Sequence, residues 1–217
     1  ELVVSAPQIF INTGAESIIP DIPGVDKPFV YTSTELLDKI TQPKQLAIIG
    51  GGYIGLEFAS TYTKLGTKVT VFERSDALLV REDPAIARAT TEALQAQGVE
   101  IVFSVDVTAI EGESAATIRT VNHDDYAGYD AVLMATGRRP ATMSLNLPAA
   151  GVATDERGAI VVDETLRTSR PHIWAMGDVT GGPQFTYASL DDFRIVRSQL
   201  LGDGLYTRAK QKTLPYA

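Results

Sequence analysis

The sequence predicts an α/β fold: a doubly wound parallel sheet with a short antiparallel insertion. Three observations lead there. Across residues 45–103, apolar runs alternate with helix-like segments in the order strand, helix, strand, helix, strand. A turn of three consecutive glycines at residues 50–52 joins the first of those strands to the first helix. From Ser104 to Tyr129 the pattern changes to short, alternating, polar segments before the apolar run "AVLMATG".

Taken in order, the apolar run at residues 9–12, closed by Gly14, predicts a strand. "IIPDIPGVDKP" holds three prolines and a glycine, which excludes helix and central strand and predicts a surface connection. "TSTELLDKI" opens on Ser/Thr with Glu35 soon after, a capping-box start for a short helix. "QLAIIG" is apolar throughout, as a strand covered on both faces requires. Residues 52–66 predict a helix with Ile54, Phe58, Tyr62 and Leu65 on its apolar face and Gly66 as its stop. "KVTVFE" is the next strand. Asp83 as N-cap, Pro84 at the first helical position and Gly98 at the end bracket a second helix. "VEIVF" follows as a third strand. "VDVTAIE", "AATIRTVN" and "YAGYD" predict an antiparallel meander. Beyond "GRRP" the chain is loop-rich, with short strands at "GAIVVD" and "HIWAMGD" and a final helix over "SLDDFRIVRSQLLGDG".

Composition narrows the function classes. The 217 residues suit one large or two small domains. A hydrophobic share of 44% and a charged share of 21% are ordinary for a soluble folded protein. The net charge of −8 offers no footprint for nucleic acid or anionic lipid, so neither partner is expected. No apolar run approaches the ~18 residues of a membrane span. No signal peptide is visible, and a cytoplasmic location is expected. The absence of cysteine excludes a disulfide framework and a thiolate metal site. Two histidines, His123 and His172, are too few for a His-based zinc site, and no metal is expected. The chain starts at Glu1, enters a strand-like run almost at once and stops after "TLPYA", so a piece of a longer protein is expected.

The glycine turn carries the chemistry. Residues 50–55, Gly-Gly-Gly-Tyr-Ile-Gly, satisfy G-x-G-x-x-G between a strand and a helix. Gly50 permits the tight turn, Gly52 lets a pyrophosphate approach the backbone, and Gly55 lets the helix lie close on the strand. Gly51, Tyr53 and Ile54 complete this cofactor-binding loop, and the helix aims its free N–H groups and positive dipole end at the phosphates. Glu73 ends the next strand 18 positions after Gly55, near the expected ~20. A carboxylate there accepts hydrogen bonds from the adenosine ribose hydroxyls and repels a 2′-phosphate, favouring NAD(H). Arg74 beside it can accommodate that phosphate, so NADP(H) stays open.

With this loop, "INTGA", "ATGRRP" and "AMGDV" in place, the chain resembles the pyridine nucleotide-disulfide oxidoreductases, the family of glutathione reductase, lipoamide dehydrogenase and mercuric reductase. The four motifs stand in family order and span essentially the whole chain. "GGPQFTYASLDDFRIV" most resembles the bacterial reactive-chlorine-resistance reductases. The resemblance implies a Rossmann-like NAD domain at residues 31–147 inserted in a discontinuous FAD domain, of which residues 1–30 and 148–217 are parts. It implies that Asp178 binds a ribitol hydroxyl of the flavin, with Gly177 allowing close approach. Thr186 would stand near the start of a helix pointing N–H groups at the flavin's pyrimidine ring, and Thr13 and Gly14 would pass the FAD. It places Gly137 and Arg138 beside bound NAD, Val107 under its adenine, and Glu57 near the nicotinamide in a pair with a flavin-side lysine. An ordinary exposed helix acid is the other reading of Glu57, and a turn cap that of Asp178.

Several family features are not in the chain: the first G-x-G-x-x-G, the redox C-x-x-x-x-C, and the C-terminal dimerisation domain with its catalytic histidine. No catalytic residue is therefore expected here. The chain alone is expected to bind NADH, to show no turnover and not to retain FAD. The intact enzyme is expected to be a homodimer delivering hydride from NADH to flavin. The flanks are expected to pack on each other or on a second copy, through exposed edges. Two rivals remain. One is a flavoprotein NADH oxidase or ferredoxin-type reductase without the redox disulfide; the other is a non-catalytic nucleotide-sensing module. Elsewhere, His123 in "NHDDY" predicts a solvated hairpin turn. His172 is expected at the surface and Trp174 in the core. Asp191 and Asp192, about 100° apart on a helix, are a poor acid/base pair and are expected on a solvated helix start; the resemblance leaves contact with the flavin or the partner subunit as the other reading.

Overall fold

The computed structural model describes residues 4–39, 41–122 and 124–211, so His123 lies outside the described residues. In chain order the strands and helices are β1 (Ile9–Ile11), β2 (Ala15–Ser17), β3 (Val30–Tyr31), α1 (Ser33–Asp38), β4 (Gln45–Ile49), α2 (Tyr53–Lys64) and β5 (Lys68–Phe72). Then follow α3 (Pro84–Ala96), β6 (Glu100–Val102), β7 (Val107–Glu111), β8 (Ala116–Thr120), β9 (Asp125–Tyr129) and β10 (Ala131–Met134). β11 (Arg138–Pro140), α4 (Leu147–Ala150), β12 (Ile173–Ala175) and α5 (Thr186–Leu201) complete the chain. They form two compact units, residues 17–137 and residues 1–16 with 138–217.

The first unit is built on a parallel five-stranded sheet in the order β3-β10-β4-β5-β6. Its central strands are apolar throughout because both faces are covered. Alternate residues of a strand point to opposite faces. Leu46, Ile48, Val69, Val71 and Leu133 share a core with Leu36, Leu56, Ala59 and Leu94 of the helices. Ala47, Ile49, Phe72, Val132 and Met134 instead share one with Ile110, Ile118 and Tyr129 of the meander. That meander, β7-β8-β9, is antiparallel and precedes β10, as the polar alternation predicts.

Local signals set the helix ends. Thr32 caps α1: its hydroxyl accepts from the Glu35 N–H at 3.4 Å, while the Glu35 carboxylate accepts from the Thr32 N–H at 2.7 Å. Asp83 caps α3 with Pro84 in the first turn. The apolar face predicted for α2 is shifted. Gly55, Leu56 and Ala59 are the buried residues, Phe58 and Tyr62 flank them, and Leu65 is exposed. At Gly55 the helix lies so close to β4 that a Cβ would meet the Ile48 side chain at 3.2 Å.

The Thr32 bonds, backbone first, hold the Glu35 carboxyl below its ordinary value of 4.5. A depressed folded value means stability that is present above the unfolded value and lost as pH falls through the folded one. We therefore expect the α1 N-terminus to fray as the solution is acidified below about pH 4, and Glu35→Gln to remove that dependence. Amide exchange of residues 33–36 against pH measures it; identical profiles for both proteins would refute it.

In the second unit, β1 pairs in parallel with β12, so the N-terminal flank packs on the C-terminal one. Trp174 is fully buried, donates its indole N–H to the Gln8 side-chain oxygen at 2.8 Å, and lies 4.3 Å beneath the Arg167 guanidinium. "GAIVVD" forms no strand: Ile160 makes a single antiparallel bridge to Thr154, and the Ile160 N–H goes to the Val179 carbonyl instead. α5 begins before the segment predicted for it, at Thr186. No described helix is long and apolar enough to cross a membrane.

Candidate functional site

Three loops of the residue 17–137 unit leave the carboxyl ends of neighbouring parallel strands. Gly50 follows β4, Glu73 follows β5, and Gly137 lies shortly after β10. The chain runs from β4 outward to β5 and β6 and then returns to the other side of β4, so the strand order reverses there. Ligands of open α/β sheets bind in the crevice at such a point.

The glycine loop is shaped by contact. Gly50 has φ +112, and a Cβ on it would meet the Ala135 carbonyl oxygen at 2.4 Å. A Cβ on Gly55 would meet the Gly50 carbonyl oxygen at 2.2 Å and the Ile48 side chain at 3.2 Å. On Gly51 it would meet Leu78 and the Glu73 carboxylate, at 2.6 and 2.8 Å. Gly52 differs: a Cβ there would meet nothing within 4 Å. It is the N-cap of α2, with no side-chain cap, and the first helical bond is Leu56 N–H to the Gly52 carbonyl. The helix thus starts without a side-chain cap, beside open space at Gly52.

Glu73 is half-buried and fixed by backbone. Its Oε2 accepts from the Gly51 N–H at 2.7 Å and its Oε1 from the Ser75 N–H at 2.7 Å. Both oxygens keep further lone pairs. The structure therefore brings the glycine loop and its acid into direct contact. Arg74 is exposed. Val107 starts β7, half-buried, shortly after the Val105 N–H donates to the Glu73 carbonyl at 3.1 Å. Tyr53 hydrogen-bonds the Glu82 carboxylate, Ile54 is half-buried, and Glu57 is exposed on α2. Gly137 is exposed, its carbonyl accepting from the Ile18 N–H at 2.9 Å. Sequence reasoning missed Ser75 and Leu78, because neither carries a local signal for holding a carboxylate or backing a glycine.

The other unit holds the remaining predicted residues. The Arg138 guanidinium donates to the Ala15 carbonyl. The Thr13 hydroxyl donates to the Ala141 carbonyl at 2.9 Å, and the Gly14 carbonyl accepts from the Ala141 N–H at 2.9 Å. Gly177 is buried at φ +71, and a Cβ on it would meet the Ser189 hydroxyl at 2.8 Å and the Asn12 side-chain oxygen at 3.0 Å. Asp178 is half-buried, and its carboxylate accepts no hydrogen bond among the described residues. Thr186 is the exposed first residue of α5, which also lacks a side-chain cap. The expectation for Asp191 and Asp192 is corrected: they are 5% and 7% exposed, not solvated. Each is drawn inward by partners distant in sequence, Tyr206 for Asp191 and Gly177 and Gln211 for Asp192. His172 is exposed. Among the described residues no cluster of three metal-ligating side chains is present.

The pyridine nucleotide-disulphide oxidoreductase family model matches residues 2–192. The chain is 48% identical over its full 217 residues to a probable pyridine nucleotide-disulfide oxidoreductase, RclA, of Escherichia coli, covering 49% of that protein. A mercuric reductase of Bacillus cereus is 38% identical over 98% of the chain and 34% of its own length. The chain thus spans about half or less of these relatives. Among solved structures, the Cu(II) complex of the HOCl-induced flavoprotein disulfide reductase RclA from Escherichia coli matches with a TM-score of 0.91 and 49% identity, over 96% of this chain and 48% of that one. The water-forming NADH oxidase from Lactobacillus brevis, bound to NADH, matches with a TM-score of 0.72 and 27% identity, over 81% and 40%. With the family model matching residues 2–192, the chain belongs to the pyridine nucleotide-disulphide oxidoreductase family.

Proposed function

We propose that this chain is the NAD(H)-binding part, with portions of the FAD-binding part, of a flavin-dependent disulfide reductase. The observation that carries the reading is the loop at residues 50–55. Gly50, Gly51 and Gly55 are required by contacts on the protein side, while Gly52 faces open space at the start of a helix that carries no side-chain cap. Such a helix start fits a pyrophosphate. The Glu73 carboxylate, held by Gly51 and Ser75, fits a pair of ribose hydroxyls and disfavours a 2′-phosphate. Residues 31–147 are assigned to the nucleotide domain, and residues 1–30 and 148–217 to the flavin domain, where the unpartnered Asp178 carboxylate suits a ribitol hydroxyl. The family resemblance assigns Gly177, Thr13, Gly14 and Thr186 to the flavin, and Gly137, Arg138, Val107 and Glu57 to the nucleotide.

When bound, the nicotinamide supplies a hydride and the flavin accepts it; the protein's own part is to bind, orient and exclude. Backbone donors at residues 52–55 hold the phosphates, and Glu73 sets the adenosine end. The chain contains no cysteine, so a redox disulfide would lie in sequence beyond it. The likeness to the NADH oxidase supports a second reading, a flavoprotein without such a disulfide. The higher identity to the disulfide reductase favours the first.

Titration with NADH and NADPH, followed by nucleotide fluorescence, tests the nucleotide assignment. We expect saturable binding with NADH about tenfold tighter than NADPH. No saturable signal up to about 1 mM, the upper end of ordinary Michaelis constants, would sink it. A flavin absorbance band in the intact protein separates an electron-transfer enzyme from a nucleotide sensor.

A further inference from the structure

We propose that Asp192 is the positioning residue for Asp178: its buried carboxylate holds the Gly177 amide and so sets the direction in which the next residue presents its own carboxylate. The inference rests on the assignment of Asp178 to the flavin made above.

Asp192 stands in the second turn of α5, 7% exposed. No cation is paired with it among the described residues, so hydrogen bonds must offset the burial of its charge. Two do so. The Gly177 N–H donates to Oδ2 at 2.9 Å and the Gln211 side-chain amide to Oδ1 at 2.8 Å. The bond to Gly177 is buried and charge-assisted, the stronger class of hydrogen bond. On the far side of the same residue, the Gly177 carbonyl accepts from the Thr180 hydroxyl at 2.9 Å. The peptides on both sides of the Gly177 Cα are therefore anchored, and its Cβ space is closed by Ser189 and Asn12. A glycine held in this way has little freedom in φ or ψ, and the orientation of Asp178 follows from it.

Asp191 shows that the two adjacent carboxylates divide the work. Both of its oxygens accept from the Tyr206 hydroxyl, at 3.0 and 2.9 Å, and Arg194 stands 3.3 Å away. It fastens the segment after α5, whereas Asp192 reaches back 15 residues to the turn. A group that served packing alone would not need to be an acceptor aimed at one backbone N–H.

The test uses the intact flavoprotein carrying this chain, with two readouts: hydrogen–deuterium exchange at Gly177 and the flavin retained after gel filtration. Asp192→Ala is expected to speed exchange at Gly177 about tenfold or more and to lower retained flavin several-fold. Asp192→Asn keeps an acceptor, and the Gln211 amide can turn to match it, so both readouts are expected to return toward those of the unmodified protein. Gln211→Ala is expected to leave Gly177 protected. Should Asp192→Ala fail to fold, Asp192→Ser, which is too short to reach Gly177, carries the same expectation. Unchanged exchange and retention in a folded Ala or Ser variant overturn the proposal. Full flavin retention in Asp178→Ala overturns instead the flavin assignment, and with it the purpose given to Asp192; the exchange readout keeps the two failures apart.

Discussion

Gly55→Val is expected to destabilise the residue 17–137 unit by about 3 kcal/mol and, on the proposed function, to abolish measurable NADH binding. Two effects compete at this position. Replacing a glycine inside a helix normally gains about 0.5–1 kcal/mol from reduced backbone entropy in the unfolded chain. Here the added Cβ would sit 2.2 Å from the Gly50 carbonyl oxygen, an atom of rigid backbone. That oxygen cannot retreat easily, because a carbonyl oxygen of Ala135 already closes the other side of the Gly50 turn. The helix must therefore lift from β4, and steric cost outweighs entropy gain. Gly55→Ala should lose about 2 kcal/mol for the same reason. Gly52→Ala is the control: its Cβ meets open space, so stability should change by no more than about 1 kcal/mol. NADH affinity should nevertheless fall about tenfold, because the methyl group takes the place of a phosphate oxygen. Urea unfolding and NADH titration of the three variants measure this. A Gly55→Val protein as stable as the parent would show that the loop is not closed as described.

Glu73→Ala is expected to raise the dissociation constant for NADH about 10- to 100-fold, the loss of one to two charge-assisted hydrogen bonds. It should also bring NADH and NADPH to nearly equal affinity. The carboxylate does two things at once. It accepts from Gly51 and Ser75, which sets the loop, and it presents negative charge at the end of β5. Its removal leaves the Gly51 N–H, in a buried residue, without its acceptor, at about 1–3 kcal/mol. It also leaves exposed Arg74 as the charge next to the site, which welcomes a 2′-phosphate. The affinity ratio is the decisive quantity, since loop disorder alone would weaken both nucleotides equally. Calorimetric titration with each nucleotide reads it, and a preference for NADH that survives the substitution would remove Glu73 from the selectivity.

Much of this molecule is legible in a linear reading because its determinants are local. Thr32 and Glu35 lie three residues apart, and the capping box they predict forms. Asp83 and Pro84 mark the start of α3 by the same short-range steric and hydrogen-bonding rules. "QLAIIG" announces a strand covered on both sides, since alternate residues do enter two different cores. The glycine loop and Glu73 could be paired in sequence because a strand–helix–strand unit has a nearly constant length.

What the sequence did not show depends on partners that the chain brings from afar. "GAIVVD" has the composition of a strand, but the Ile160 N–H is taken by the Val179 carbonyl and no ladder forms. The buried stripe of α2 could not be placed from periodicity alone, because the close approach of β4 at Gly55 turns Gly55, Leu56 and Ala59 inward and leaves Leu65 exposed. Asp191 and Asp192 read as solvated acids until Gly177, Tyr206 and Gln211 arrive at 15 to 19 residues' distance to accept their burial. The strand–helix–strand core and its glycine turn were already written in the order of residues, since steric and capping rules act within a few residues. Which polar groups are buried, and what they hold, follows from long-range packing, because burying a charge is tolerable only where the fold assembles donors around it.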